Sequence, residues 1–249
     1  YVNLETVGRR LYLIATTLLL YLILAMDIVA EPKPSESEEL KNMLVAIEKT
    51  TRATRFYTDV KTISDDVMQA LSKVNRAQFV PAYAIEDAFE NHPLRIGYGQ
   101  TISQPFIVAL MTHLLDIQPD DRILEIGTGS GYQAAIAAEL ASQVYTVEII
   151  SELADSADKR LKSIGYTNIL VKAGDGWYGW PEAAPFDGIL VTAVAPEIPP
   201  QLLSQLAVGG RLVMPVGHPR GSQELVLITR LSSSEISSKD ILPVRFVPM

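Results

Sequence analysis

The sequence predicts a doubly wound α/β fold: a mostly parallel sheet with helices on both faces, an antiparallel C-terminal edge and an N-terminal helical extension. Three observations lead there. Short runs of β-forming residues alternate with helical spacings through the middle of the chain, the pattern of strands joined by crossover helices. The runs 122–126, 186–193 and 210–216 are largely apolar, as strands covered on both faces require. The last two candidate strands, 224–231 and 240–247, have no helical stretch between them, so they pair as an antiparallel hairpin at one edge.

At the N-terminus, Arg9-Arg10 precedes an uncharged apolar run over 11–26, which Asp27 interrupts and residues 28–30 close. The positive flank before it, with Glu31, Glu36, Glu38 and Glu39 after it, suits a membrane-targeting segment over 1–30 whose N-terminus faces the cytoplasm. The run is short for a full span, so a signal peptide and a signal anchor both stay open. A start at Met26 or Met43, which would make the extension an artefact of the gene model, also stays open. A buried core helix is the minority reading for a stretch apolar on every face.

Residues 31–37, with prolines and serines among acids, read as a linker. The folded domain then covers 38–249, with N-terminal helices within 38–120. Leu40, Leu44 and Ile47 give helical spacing over 38–50. Ser64-Asp65-Asp66 offers an N-cap and acidic first turn for a helix running to about residue 74.

Composition narrows the function. The chain has 249 residues and 48% hydrophobic content, enough for a full core. A formal charge of −8 without a Lys/Arg cluster excludes nucleic acid as the main partner, since phosphate binding needs a basic footprint. The absence of cysteine excludes disulfides, a thiolate nucleophile and thiolate zinc sites. His92, His113 and His218 are scattered and read as surface or packing residues, so no metal is expected.

The central motif is Leu124-Glu125-Ile126-Gly127-Thr128-Gly129-Ser130-Gly131. A strand over 122–126 runs into three alternating glycines that let the backbone turn tightly beneath a ligand, and a helix over 132–140 follows. A dinucleotide fingerprint would place its third glycine at Tyr132, a side chain too large for that close packing. The strand over 144–147 ends at Glu148, about twenty residues beyond the first glycine, where a ribose-binding carboxylate belongs. A third strand over 168–172 leads to Gly174-Asp175-Gly176, whose carboxylate suits the exocyclic amine of adenine. Strand, glycines, acid, strand and acid together point to S-adenosylmethionine as the cofactor and to the Rossmann-like methyltransferase form of the α/β fold.

Upstream lies a polar, glycine-bearing loop, Leu94-Arg95-Ile96-Gly97-Tyr98-Gly99-Gln100-Thr101-Ile102-Ser103-Gln104-Pro105, which enters a helix over 106–115 and reads as a substrate clamp. Ser103 also suits a helix N-cap ahead of Pro105. No Gly-x-Ser-x-Gly elbow surrounds it, which argues against a Ser-His-Asp hydrolase.

Over about residues 38–249 the chain closely resembles the protein L-isoaspartate O-methyltransferases. The resemblance rests on Gly99-Gln100-Thr101-Ile102-Ser103-Gln104-Pro105, the Leu124 to Gln133 motif, Gly174-Asp175-Gly176-Trp177 and Arg245-Phe246-Val247-Pro248, in this order. It implies methyl transfer from S-adenosylmethionine to the free α-carboxyl of L-isoaspartyl residues in damaged proteins and peptides, after which the ester closes spontaneously to a succinimide.

By position the resemblance implies Ser103 as the catalytic serine. It implies Gln100, Thr101, Ile102, Glu125, Gly127, Thr128, Gly129, Gly131, Glu148, Asp175 and Gly176 at the cofactor. It places Thr192, Ala193, Pro196 and Val216, with Ser103, at the peptide. It also implies a cytoplasmic enzyme, whereas the apolar run implies membrane anchoring or export; oligomeric state is left open. Three departures fall in loops: Asn75 and Arg95 stand where the family usually has proline, and Val194-Ala195 replaces a commoner Ala-Pro. Two other classes share parts of the pattern: a methyltransferase acting on a small-molecule carboxylate or hydroxyl, and an inactive membrane-tethered binding module.

Overall fold

The computed structural model describes residues 35–249, and Glu36–Met249 form one compact unit. The run at 11–26 and most of the 31–37 stretch lie outside the described residues. Among the described residues, no helix is long and apolar enough to cross a membrane.

Seven strands form the main sheet. In chain order they are β3 (Arg122–Ile126), β4 (Gln143–Glu148), β5 (Ile169–Ala173), β6 (Phe186–Val191), β7 (Leu206–Gly217), β8 (Gln223–Arg230) and β9 (Ile236–Val244), and in space they run β5-β4-β3-β6-β7-β8-β9. The first five are parallel. From β3 the chain winds outward through β4 and β5, then returns to place β6 and β7 on the other side. This puts a topological switch point between β3 and β6, where open α/β sheets bind ligands at their carboxyl ends.

Alternation along the central strands explains the layering. Leu124 and Ile126, Ile189 and Val191, and Leu212 and Met214 face one core; Ile123, Leu190 and Val213 face the other. Both faces are therefore dry, and each fully buried aliphatic side chain contributes roughly 1.5–3 kcal/mol. The antiparallel edge is as expected: β8 pairs with both β7 and β9. Strand β9 begins and ends earlier than the apolar pattern suggests, since pairing with β8 extends back to Ile236 opposite Arg230, and a bulge opposite Leu225 and Val226 inserts Ile241, which is buried.

The N-terminal part supplies α1 (Glu36–Thr58), α2 (Asp65–Lys73), a small hairpin of β1 (Leu94–Gly97) and β2 (Gln100–Ile102), and α3 (Pro105–Leu115). Helix α1 starts two residues before, and ends well after, the stretch marked by apolar spacing. Its acidic first turn, Glu36, Glu38 and Glu39, favours that early start. Ser64 holds the N-cap position of α2 but makes no side-chain cap. Its amide instead donates to His113 Nδ1 at 3.3 Å, which makes His113 a packing residue. Three further helices complete the layers: α4 (Tyr132–Ala138), α5 (Ser151–Ser163) and α6 (Pro200–Gln205).

Candidate functional site

The turn from β3 into α4 holds Gly127, Gly129 and Gly131 at φ of 94°, 53° and 90°, a region side-chain-bearing residues rarely occupy. Gly127 is also confined sterically, since a Cβ there would lie 2.5 Å from Thr192 Oγ1. That hydroxyl donates to the carbonyl of Gly127 at 2.7 Å, locking the turn to the end of β6 across the switch point. Tyr132 packs edge-on against Phe79 at 5.4 Å.

At the end of β4, Glu148 is buried and anchored on both oxygens. Oε2 accepts from the amide of Gly129 at 2.8 Å, and Oε1 from that of Ile150 at 3.0 Å. Each oxygen keeps a second lone pair, so the carboxylate both braces the glycine turn and can receive ribose hydroxyls. Next to it Ile149 is 61% exposed, an apolar surface suited to a base.

A cleft at the strand ends is lined by Gln100, Thr101, Gly127, Gly129, Glu148, Gly176, Thr192 and Ala193, eight of the residues expected at the site. A second depression adjoins it, containing Ser103, Gln104 and Phe106 together with Thr50 and Thr54 of α1. A small space between the two is bordered by Ile102, Ser103, Thr128 and Gly129. Thr101 and Thr192 line all three.

Other expected residues sit differently. Glu125 does not line the cleft. It is fully buried beneath the glycine turn, where Thr146 donates to its Oε2 and in turn shares a 2.6 Å hydrogen bond with Thr128; among the described residues Oε1 has no hydrogen-bond partner. Desolvation, with a smaller contribution from the charge of Glu148, pushes its pKa up to about 8 against the bond from Thr146. Gly131 is the N-cap of α4, behind the cleft. Asp175 uses Oδ1 to cap the turn at Gly176–Tyr178 by accepting from Trp177 at 2.9 Å. Pro196 is exposed and Val216 bridges to Ala195; neither borders the cleft.

Ser103 is not the cap of α3. Gln104 occupies the N-cap position without a side-chain bond, and the amide of Phe106 donates instead to Oδ1 of Asn91 at 3.0 Å. The Ser103 hydroxyl is thereby free of a capping role.

The sequence does not mark Ile126, Val147, Ile149 or the tail Val247, Pro248 and Met249 for this site, but they also line the cleft. Only the Arg245 to Pro248 motif signalled the tail, and its contact is tertiary: the amide of Val194 donates to Val247 at 2.8 Å, and that of Met249 to Val194 at 3.0 Å. Asn75, at a position where proline is usual, accepts from the amide of Ala77 at 2.9 Å and so caps the next turn with its side chain. Among the described residues, no three His, Cys, Asp or Glu side chains are grouped to hold a metal.

A parallel sheet switched between β3 and β6, a glycine turn at its mouth and an acid ending β4 define an S-adenosylmethionine-dependent methyltransferase of Rossmann-like architecture. Residues 49–249 match the family Protein-L-isoaspartate(D-aspartate) O-methyltransferase. The chain belongs to this family. It is 56% identical over 183 residues to protein-L-isoaspartate O-methyltransferase 1 of Nitrosospira multiformis, covering 74% of this chain and 78% of that one. Among solved structures, a protein-L-isoaspartate O-methyltransferase matches with a TM-score of 0.74 and 26% identity, over 84% of this chain and 65% of that one. A Plasmodium falciparum protein, described as a putative member in complex with S-adenosyl-L-homocysteine, has the same fold, with a TM-score of 0.68 and 23% identity over 86% of this chain and 98% of that one.

Proposed function

We propose that this cleft methylates the α-carboxyl of L-isoaspartyl residues in damaged proteins and peptides, with cofactor and acceptor meeting at Thr101 and Thr192. The observation that carries the reading is the shared wall itself: the cleft holding Glu148 and the depression holding Ser103 have these two residues and Val247 in common.

The cofactor side fits a nucleoside with a charged tail. Glu148 would take the ribose, exposed Ile149 the base, and Asp175, through its uncommitted Oδ2, the adenine amine. Gly127 and Gly129, both at positive φ, would present the backbone of the turn to the cofactor. Glu125 would act from below, by holding Thr146 and Thr128 in place. When bound, S-adenosylmethionine supplies an electrophilic methyl group on a sulfonium.

The chain's own task is alignment. A carboxylate with a pKa near ~4 is ionised at neutral pH, so no general base is needed to make it nucleophilic. Holding its oxygen in line with the methyl carbon supplies most of the acceleration. The Ser103 hydroxyl would donate to the acceptor carboxylate and fix its orientation. Thr192 and Ala193 would hold the peptide backbone beside it, with Pro196 and Val216 supporting that segment from behind.

Incubation with S-adenosylmethionine and an isoaspartyl peptide, followed by mass analysis, tests the reading. A methyl ester that decays to a succinimide is expected. Methylation of small carboxylic acids or alcohols in preference to the peptide would overturn it, in favour of a small-molecule methyltransferase.

For location, the reading rests on the run at 11–26. With Arg9-Arg10 before it and acids after it, the run would bring the full-length chain to a membrane, with 31–37 as the spacer.

A further inference from the structure

Arg76 is the largest fully buried side chain in the domain, at 0% exposure. Among the described residues no carboxylate pairs with it. Its guanidinium donates instead to three backbone carbonyls 12, 16 and 27 residues further along the chain: Ala88 through Nη1, and His92 at 3.3 Å and Ser103 at 3.0 Å through Nη2. Its remaining face lies 5.8 Å from the ring centroid of Tyr132. Burial lowers its pKa to about 10, with Tyr132 opposing the shift, so it stays charged at neutral pH.

The carbonyls at 88 and 92 bracket Asn91, whose side chain receives the amide of Phe106 and donates to Thr50 at 3.0 Å, and whose own carbonyl accepts from Gln104 at 2.9 Å. The segment 103–106 is thus held twice: on one side by Arg76 at the carbonyl of Ser103, on the other by Asn91 at Gln104 and Phe106. A buried charge is costly unless its donors are satisfied. Among the described residues Nε has no hydrogen-bond partner, a cost that an apolar side chain packed in the same place would not carry. The planar fork can span several carbonyls at once, which a lysine or an apolar side chain cannot.

Resting on the function proposed above, we propose that Arg76 is a positioning residue: it clamps the backbone at Ser103 so that the serine hydroxyl meets the acceptor carboxylate in the reactive orientation.

The test compares the parent chain with Arg76→Gln and Arg76→Lys in steady-state methylation of an isoaspartyl peptide, with S-adenosylhomocysteine affinity measured by calorimetry. In Arg76→Gln, kcat is expected to fall by about 10- to 100-fold, as a misplaced reacting group requires. The S-adenosylhomocysteine Kd should change by less than about twofold and peptide KM far less than kcat. Arg76→Lys, which keeps the charge but not the fork, should recover part of kcat. An unchanged kcat in a folded variant would overturn the proposal. So would a cofactor Kd weakened as much as kcat, or failure of both variants to fold, since the residue would then serve only the core. A parent chain that does not methylate the peptide would instead refute the proposed function, independently of Arg76.

Discussion

Glu148 and Ser103 sit on opposite sides of the shared wall, and their substitutions should separate binding from turnover. Glu148→Gln keeps the shape but weakens charge-assisted hydrogen bonds to the ribose, so cofactor binding should lose about 1.5–3 kcal/mol by calorimetry. Ser103→Ala should leave that affinity nearly unchanged while lowering turnover on an isoaspartyl peptide. Equal losses of both in the serine variant would return Ser103 to a structural role. Glu125 permits a test of a different kind. Its folded pKa, about 8 through burial, lies above its unfolded value, so the folded state binds the proton more tightly. Its stabilising contribution is full below pH ~4.5 and is lost as pH rises through about 8. Glu125→Gln, which cannot ionise, should flatten that decline in denaturant midpoints between those pH values; parallel curves for the two proteins would show that Glu125 is already ionised in the fold. Glycine and acid spacing made Glu148 and the loop legible in the sequence. The same spacing said nothing of whether Glu125 faced ligand or core, because a strand end can turn either way. Arg76 and Asn91 were illegible for a different reason: their partners lie 12 to 27 and 13 to 41 residues away, respectively.

The elements were mostly legible because their patterns are local. Apolar runs located the central strands, and the missing helix after β8 located the antiparallel edge. What local pattern could not supply was register and closure. The bulge that buries Ile241 depends on the pairing of β9 with β8, and the tail over the cleft depends on Val194. The extent of α1 was underestimated for a related reason. Only Met43, Ile47, Thr51 and Thr58 are buried along it, two of them threonines whose hydroxyls bond back to the preceding turn, so an apolar stripe marks just its first half. The most sensitive joint between elements is the β3–α4 turn. Gly127→Ala would bring about 1–3 kcal/mol of backbone strain at positive φ and would also push Thr192 off the turn. Thermal unfolding should shift downward and cofactor affinity should fall; a variant unchanged in both would mean that the turn is not held by Thr192.

At the scale of the whole molecule, the charge of −8 and the apolar run bear on where the chain works. Full-length protein made in a bacterial cell should sediment with membranes if 11–26 acts as a targeting segment. An entirely soluble chain that retains Tyr1 would remove that reading, and protease added to intact spheroplasts would show which side a membrane-bound domain faces. The catalytic claim is independent of that outcome, since the strand-end cleft lies wholly within Glu36–Met249. Its most direct measurement is the initial rate of methyl transfer from S-adenosylmethionine to two peptides of one sequence, one carrying an L-isoaspartyl linkage and the other a normal aspartyl linkage. Transfer to the isoaspartyl peptide, with the aspartyl peptide at background, is the expected result. Equal rates on both peptides, or no transfer to either while S-adenosylhomocysteine still binds, would contradict it.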